Sequence, residues 1–128
     1  NGDALAARVR FVPGDFHEID VADGAFDIVV LGHVCRTEGD ARARRLVARA
    51  YAALAPGGQI LLADYFADED HKLHPFGVQM GLTMAANTER GGVLTYAQVG
   101  GWLTDAGFSS VRMLEPIGFN LVYVATKR

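Results

Sequence analysis

Short apolar runs alternate with longer amphipathic stretches along this chain. Three apolar runs with turn residues beside them stand at 9–12, 26–31 and 59–64. Between the second and third runs, apolar residues recur at helical spacing over about 41–55, and Asp40 precedes them as a candidate N-cap. Pro56-Gly57-Gly58 is expected to stop that helix. Buried strands that alternate with helices are typical of a parallel sheet, so the pattern predicts an α/β fold.

The second half of the chain predicts two further kinds of element. Residues 66–87 begin acidic and become apolar, with a helix expected near their end. Thr95 and Gln98 match a capping box, in which each side chain satisfies the other residue's free backbone amide, and a helix should follow. Residues 110–114 and 121–126 read as a final antiparallel hairpin at a sheet edge. No repeat or boundary interrupts the pattern, so residues 1–128 are expected to form one domain.

Composition narrows the possible partners. The net charge of -3 argues against a nucleic-acid-binding surface. The single cysteine, Cys35, cannot form an internal disulfide and fits a reducing compartment, so a cytoplasmic location is expected. No apolar run reaches the roughly 20 residues that span a bilayer, so no membrane partner is expected.

Polar residues that follow the predicted strands mark the candidate ligand-binding edge. Asp15, His33 and Asp64 come at or just after the ends of the three apolar runs. In open α/β sheets the ligand lies at the carboxyl ends of the strands. His71 and His74 lie near acidic residues, but two histidines in a loop do not complete a metal-ligand set, and no metal is expected.

Several segments together carry a family resemblance. They read PGDF, FDIVVLGHV, ALAPGGQILLADYF and LTYAQVGGWLTDAGF, and the predicted hairpin follows them. This succession resembles the carboxyl-terminal part of class I S-adenosylmethionine-dependent methyltransferases. It is most similar to the small-molecule O-methyltransferases of bacterial secondary metabolism and their plant relatives. The resemblance implies a Rossmann-like sheet, partial here, and a homodimer.

The resemblance also implies which parts of the family this chain lacks. The glycine-rich turn, the first two strands and the amino-terminal dimerisation helices would all belong upstream of Asn1. In the family's strand order, strands that are absent here separate 9–12 from 26–31. We therefore expect 26–31 to be an exposed edge. Either the chain self-associates, or residues 9–12 pair beside 26–31 in a position foreign to the family.

The resemblance implies S-adenosylmethionine as the cofactor. In the family, the position of Gly14-Asp15-Phe16 holds adenine: the carboxylate accepts from the exocyclic amine and the aromatic ring packs on the base. Gly32 and His33 would lie by the methionine moiety. The alternative is that Asp15 belongs to a plain turn.

The resemblance further implies two catalytic residues. A histidine at the position of His33 is a general base in the plant relatives, and an acidic residue at the position of Asp64 orients it. The alternatives are a structural histidine and a capping carboxylate. The plant enzymes' third acidic residue has no counterpart here, where Val93 or Leu94 stands. This favours a simpler mechanism of one base and proximity.

A segment after the third strand would line the acceptor pocket in the family. Its candidate substrate-binding residues are Phe76, Met80, Met84 and Asn87. Flexible, polarisable methionines suit a planar aromatic substrate, although core positions of one helix have the same spacing. The function implied is methyl transfer to a hydroxyl of a small, aromatic or polyketide-like metabolite. The alternatives are a non-catalytic interaction module and an NAD(P) dehydrogenase fragment, which the missing G-x-G-x-x-G disfavours.

Overall fold

The structure is a computed structural model that describes residues 2–128, with side chains from residue 4 onward. Within that range the chain forms a four-stranded sheet, a two-stranded sheet and five helices. The strands are β1 (Phe26–Gly32), β2 (Leu54–Asp64), β3 (Phe66–Ala67), β4 (Leu94–Thr95), β5 (Ser109–Met113) and β6 (Leu121–Thr126). The helices are α1 (Gly2–Ala6), α2 (Cys35–Glu38), α3 (Asp40–Ala53), α4 (Pro75–Asn87) and α5 (Tyr96–Asp105).

The main sheet has the strand order β1-β2-β6-β5. Strand β1 runs parallel to β2, whereas β6 is antiparallel to both β2 and β5. The short strands β3 and β4 form a separate parallel pair. The predicted α/β fold and the closing antiparallel hairpin are therefore confirmed, and β1 lies at the edge of the described sheet, as expected.

Helices α3 and α5 pack together and cover one face of the main sheet. The core there includes side chains that are almost or completely buried, such as Val47 on α3, Ile60 and Leu62 on β2, and Trp102 and Leu103 on α5. Ile60 and Leu62 share one face because side chains alternate along a strand. Burying one such side chain contributes roughly 1.5–3 kcal/mol to the stability of the fold. This layer therefore holds the carboxyl ends of the strands in place.

The start of α5 confirms the predicted capping box. The Thr95 hydroxyl accepts a hydrogen bond from the Gln98 backbone N–H at 3.3 Å, and the Gln98 side chain accepts from the Thr95 N–H at 3.0 Å. Two otherwise free amides of the first turn are thereby satisfied. Among residues 2–128, none of the helices combines the length and the apolar character needed to cross a membrane.

The expected strand at 9–12 is wrong. These residues form no regular element, and Phe11 is 90% exposed. A strand persists only where a neighbouring strand accepts and donates its backbone hydrogen bonds, and no described strand pairs with this segment. The alternative in which 9–12 pairs beside 26–31 is wrong for the same reason.

Two expectations about α3 are also wrong. Gly39, at φ 75°, stands at the N-cap position, and Asp40 is the first helical residue. Its carboxylate hydrogen-bonds Trp102 and Arg44 rather than the free amides of the first turn. At the other end, the helix stops at Ala53, and Pro56-Gly57-Gly58 lies inside β2. An irregularity in the pairing with β1 accommodates this turn between the residues opposite Phe26 and Ile28.

Candidate active site

Two of the predicted site residues meet where β1 and β2 end. Gly32, the last residue of β1, pairs with Ala63 of β2, and the His33 N–H donates to the Ala63 carbonyl at 2.8 Å. His33 and Asp64 therefore lie side by side at the carboxyl ends of two parallel strands, as expected. His33 has φ 57°, a left-handed conformation that is uncommon outside glycine. Such conformations cluster at functional sites, which favours a functional interpretation of this turn.

Asp64 is completely buried and fully engaged. Its Oδ1 atom accepts from Arg36 Nη1 at 2.9 Å and from the Tyr65 N–H at 2.9 Å, while Oδ2 accepts from the Arg36 backbone N–H at 3.3 Å. A buried carboxylate requires such a cation, because an uncompensated charge in the protein interior is very costly. Sequence reasoning did not identify Arg36. The signal available was its position three residues after His33, one helical turn beyond the strand end.

No direct hydrogen bond joins His33 to Asp64, although the resemblance implies that this carboxylate orients the histidine. Their Nδ1 and Oδ1 atoms are 3.7 Å apart, beyond hydrogen-bond distance. Arg36 Nη1 bridges them, since it lies 2.9 Å from each of these two atoms. The carboxylate therefore organises the histidine through a guanidinium rather than by direct contact.

Aromatic rings extend from His33 toward the carboxyl-terminal hairpin. The His33 ring centroid is 4.7 Å from that of Tyr65, and Tyr65 packs edge-on against Phe76 at 5.0 Å. Phe76 stacks on Phe119 at 4.4 Å. The Arg36 guanidinium carbon also lies 5.2 Å from the Tyr65 ring centre. Sequence reasoning had not singled out Tyr65 or Phe119, although Tyr65 follows Asp64 directly.

The four candidate substrate-binding residues lie on α4, but only Phe76 has ring contacts that lead to His33. Met80 and Met84 are half-buried. Asn87 is exposed, and its amide donates to the Thr83 carbonyl of the same helix at 2.8 Å. At 1.5 Å of rise per residue, Asn87 is about 16 Å along the helix from Phe76. The pocket role of the methionines and of Asn87 stays a prediction.

Separate hydrogen bonds fix Gly14-Asp15-Phe16, the turn predicted to hold adenine. The Asp15 carboxylate accepts from the backbone N–H of His17 at 2.8 Å. The buried His17 ring is 2.7 Å from the Glu38 carboxylate at the end of α2, and Arg42 binds the same oxygen at 2.8 Å. Although burial opposes the effect, hydrogen bonds from Arg42 and His17 lower the pKa of Glu38. The turn is thereby anchored to the short helix that carries Arg36.

An apolar groove of about 370 Å³ runs between this turn, β1 and α3. Phe16 and Ile19 line it from the turn, Val29 and Leu31 from β1, and Leu46 from α3. Gly32 and His33 are not among its lining residues. The groove thus joins Phe16 to the edge strand but lies apart from the cluster around His33.

The residues at the turn suit the adenine half of S-adenosylmethionine. Asp15 is exposed, and a carboxylate accepts from the exocyclic amine of adenine. Phe16 is 40% exposed at the groove, so part of its surface is open to a base. At Gly32 a side chain would meet no atom within 4 Å, so the backbone there is open to a ligand.

Cys35, His71 and His74 are further residues whose side chains could attack an electrophile or ligate a metal. Burial, followed by the charges of Asp64 and Glu38, raises the pKa of the Cys35 thiol to about 12. Cys35 is therefore a protonated thiol at neutral pH and a poor nucleophile. The His74 ring hydrogen-bonds the Tyr96 hydroxyl, and His71 is exposed in a turn.

This mixed sheet, with polar residues gathered at the ends of its parallel strands, defines a Rossmann-like class of protein. The model of the O-methyltransferase domain family matches residues 3–109. The chain belongs to that family.

Individual relatives agree with this assignment. The tetracenomycin polyketide synthesis 8-O-methyl transferase of Streptomyces glaucescens is 31% identical over 94% of this chain and 35% of its own length. A protein of Nostoc punctiforme, proposed to be an O-methyltransferase, superposes with a TM-score of 0.89 at 27% identity, over 96% of this chain and 38% of its own.

Human N-acetylserotonin methyltransferase in complex with S-adenosylmethionine superposes with a TM-score of 0.82 at 26% identity, over 91% of this chain and 33% of its own. The chain spans about a third of the length of the curated relatives it matches. The expected partial methyltransferase fold is thereby confirmed.

Proposed function

We propose that the protein containing this chain transfers a methyl group from S-adenosylmethionine to a hydroxyl of a small, aromatic or polyketide-like metabolite. The observation that carries the proposal is the cluster of His33, Arg36 and Asp64 at the sheet edge. The rings of Tyr65 and Phe76 lie beside it, in a chain of the O-methyltransferase domain family. The relatives named for tetracenomycin polyketide synthesis and for acetylserotonin support an aromatic acceptor.

The cofactor would supply a methyl group on a sulfonium, which is already electrophilic. In this proposal Asp15 accepts a hydrogen bond from the adenine amine and Phe16 packs on the ring. The hydrogen bond between the His17 ring and the Glu38 carboxylate keeps that turn in position. Gly32 and His33 lie by the methionine moiety.

The remaining task of the chain is to align the acceptor. Aligning two reactants can supply several kcal/mol of the barrier reduction. Phe76 would hold the plane of an aromatic acceptor near Tyr65. The acceptor pocket would continue along α4, lined by Met80, Met84 and Asn87. His33 would contact the acceptor oxygen, while Asp64 orients His33 through Arg36. The buried free thiol of Cys35 supports a reducing, cytoplasmic setting, and assembly as a homodimer stays a prediction.

The activity is tested with the full gene product, S-adenosylmethionine and a panel of phenols, polyketide-like naphthols and aliphatic alcohols. The expected result is formation of S-adenosylhomocysteine together with the methyl ether of an aromatic acceptor. Turnover of none of these compounds, in a protein shown to bind the cofactor, would contradict the proposal and favour a non-catalytic module.

The cofactor site is tested separately by calorimetry with S-adenosylhomocysteine. We expect Asp15→Ala to weaken binding by roughly 1–3 kcal/mol, the cost of losing a charge-assisted hydrogen bond. Asp20→Ala, an exposed carboxylate in the following loop, is the matched control and should bind normally. Equal affinities for Asp15→Ala and the wild type would remove Asp15 from the adenine site.

A further inference from the structure

The bridge between His33 and Asp64 determines which nitrogen of the His33 ring carries a proton. Arg36 Nη1 is 2.9 Å from His33 Nδ1. A guanidinium stays charged at all working pH values and has N–H donors but no acceptor. Nδ1 must therefore accept this hydrogen bond with its lone pair. In the neutral ring the proton then resides on Nε2.

The opposite tautomer is disfavoured by the same contact. A proton on Nδ1 would point at an N–H group of Arg36, so that two donors would face each other at hydrogen-bond distance. Asp64 does not relieve it, because its Oδ1 atom is 3.7 Å from Nδ1 and already accepts from Arg36 and Tyr65.

The Nε2 side of the ring is open. The His33 side chain is about a third exposed, and among residues 4–128, whose side chains the structure describes, no group hydrogen-bonds its Nε2 atom. The charged or titratable groups around the ring are Arg36, Asp64 and the phenol of Tyr65, while α4 contributes only the Phe76 ring beyond Tyr65. What His33 offers a ligand is therefore an N–H donor rather than a lone pair.

We propose that Arg36 is a positioning residue that holds His33 as an Nε2–H donor, and that the methyl acceptor is consequently an acidic hydroxyl that enters as its anion. This inference rests on the proposed function. It names the substrate class as phenols or enols that ionise near neutral pH, such as those whose oxygen is conjugated with a carbonyl group. His33 then binds and orients the oxyanion and removes no proton.

The transfer balances without a protein base. A lone pair of the acceptor oxyanion forms the new C–O bond to the methyl carbon. The C–S bond breaks and its electron pair stays on sulfur. The negative charge of the oxyanion and the positive charge of the sulfonium cancel, so the products are a neutral ether and a thioether. The proton of the acceptor has left to solvent before binding, and the Nε2–H remains on His33.

The tautomer is tested by NMR on the full gene product with ¹⁵N-labelled histidine, without cofactor or acceptor. His33→Gln identifies the His33 signals by their loss. The expected result near neutral pH is a protonated, pyrrole-type Nε2 and an unprotonated, pyridine-type Nδ1. A proton on Nδ1 would overturn the inference whatever the enzyme methylates.

The anionic acceptor is tested by kinetics. Glutamine can donate a hydrogen bond from a position close to that of Nε2 but cannot act as a base. For an acidic phenol, we expect kcat/KM of His33→Gln to stay within about tenfold of wild type. His33→Ala should lose about 10–100-fold, the effect of removing one hydrogen bond to a charged group. Both variants place a non-glycine residue at this left-handed position, so backbone strain contributes little to their difference. If His33 is a base, both should instead fall about 10²–10⁴-fold.

The pH dependence provides a second kinetic readout. Across a series of phenols, the rise of kcat/KM with pH should follow the pKa of each phenol. A rise at one fixed pH for all of them would identify a protein base and overturn the inference. Arg36→Met should move the His33 proton toward Nδ1 in the NMR experiment, whereas Arg45→Met, an exposed arginine on α3, should not.

The experiments distinguish a failure of the proposed function from a failure of the inference about His33 and Arg36. If the wild type methylates none of the acceptors, the proposed function fails and the NMR result alone decides the role of Arg36. If Arg36→Met does not fold, because the buried charge of Asp64 is left without its cation, the wild-type tautomer and the two His33 variants still decide. Methylation of simple aliphatic alcohols as fast as acidic phenols would contradict the substrate class.

Discussion

Asp40 is a single carboxylate that joins two helices. Its Oδ1 atom accepts from the indole Nε1–H of Trp102 on α5 at 2.7 Å, and its Oδ2 atom accepts from Arg44 at 2.8 Å. Trp102 is almost completely buried, and the Asp40 carboxylate is the partner of its N–H. A buried donor that loses its partner bears its full desolvation cost. Asp40 thus stabilises the contact between α3 and α5 rather than the start of α3.

We expect Asp40→Ala to lower the free energy of unfolding by roughly 1–3 kcal/mol, chiefly because the Trp102 N–H is left unpartnered. Urea denaturation measures this change. The matched control is Asp70→Ala, which removes an exposed loop carboxylate 3.8 Å from Lys72 and should cost well under about 1 kcal/mol. Equal stabilities of the two variants would show that the indole finds water or another partner.

The same contact predicts a pH dependence. Hydrogen bonds from Trp102 and then Arg44 hold the pKa of Asp40 below its ordinary value. A depressed carboxyl pKa contributes stability that is present above the unfolded-state pKa and is lost as the pH falls through the folded-state value. The stability difference between wild type and Asp40→Ala should therefore shrink in acid, below the ordinary pKa of an aspartate. A difference that grows in acid would contradict the assignment.

The sequence was sufficient to place His33 and Asp64 because the ends of neighbouring parallel strands meet at one edge. It could not assign the contact between them. The chain turns at His33 through a left-handed conformation and enters α2 two residues later, which brings Arg36 back over Asp64. Periodicity does not report such a turn, since it depends on one residue's backbone angles.

At the level of elements, α4 approaches its neighbours by backbone rather than by side chains. A Cβ atom at Gly77 would lie 2.3 Å from the carbonyl oxygen of Phe66, and one at Gly81 would lie 2.3 Å from the Cα of Val93. These two glycines are one helical turn apart and face β3 and the segment before β4. The close approach places Phe76, the residue before Gly77, against Tyr65.

We expect Gly77→Ala to destabilise the fold by at least roughly 1–3 kcal/mol, because the new methyl group collides with backbone that cannot rotate away. Gly100→Ala on α5 is the matched control, since a Cβ there would meet no atom within 4 Å. It should stabilise by about 0.5–1 kcal/mol, because alanine loses less conformational freedom in a helix. Thermal unfolding of the two variants in parallel measures both changes, and shifts of the same sign would refute this packing.

Element prediction succeeded where the signal was local and failed where it depended on a neighbour. The capping box of Thr95 and Gln98 and the closing hairpin are contained in short segments, and both are present. The apolar run at 9–12 has strand composition but no pairing partner among the described residues, and it stays irregular. Pro56-Gly57-Gly58 has the composition of a turn that ends a helix or strand. The irregular pairing of β1 with β2 nevertheless accommodates it within β2.

At the level of the whole molecule, the described sheet has an edge strand, β1, whose outer side is unpaired. Strand β1 pairs only with β2, and its other edge carries no described strand. Ile28 and Val30 are each more than half exposed on β1, and the apolar groove beside Phe16 and Leu31 opens along the same edge. Soluble proteins rarely leave a flat apolar edge uncovered, because it is a template for pairing with another chain.

We therefore expect the 128-residue chain on its own to self-associate through β1, as sedimentation velocity would reveal by an increase in apparent mass with concentration. Val30→Lys places a charge on the edge strand and should shift the chain toward monomer. Leu82→Lys, at a similarly exposed position on α4, should not. We also expect no measurable binding of S-adenosylmethionine by this chain, because Gly32 and His33 would be its only contacts with the methionine half and the sequence holds no glycine-rich turn to enclose that half. A stable monomer that binds the cofactor at micromolar concentration would contradict both expectations. It would show that the β1 edge needs no pairing strand and that the groove beside it binds the cofactor without a second chain.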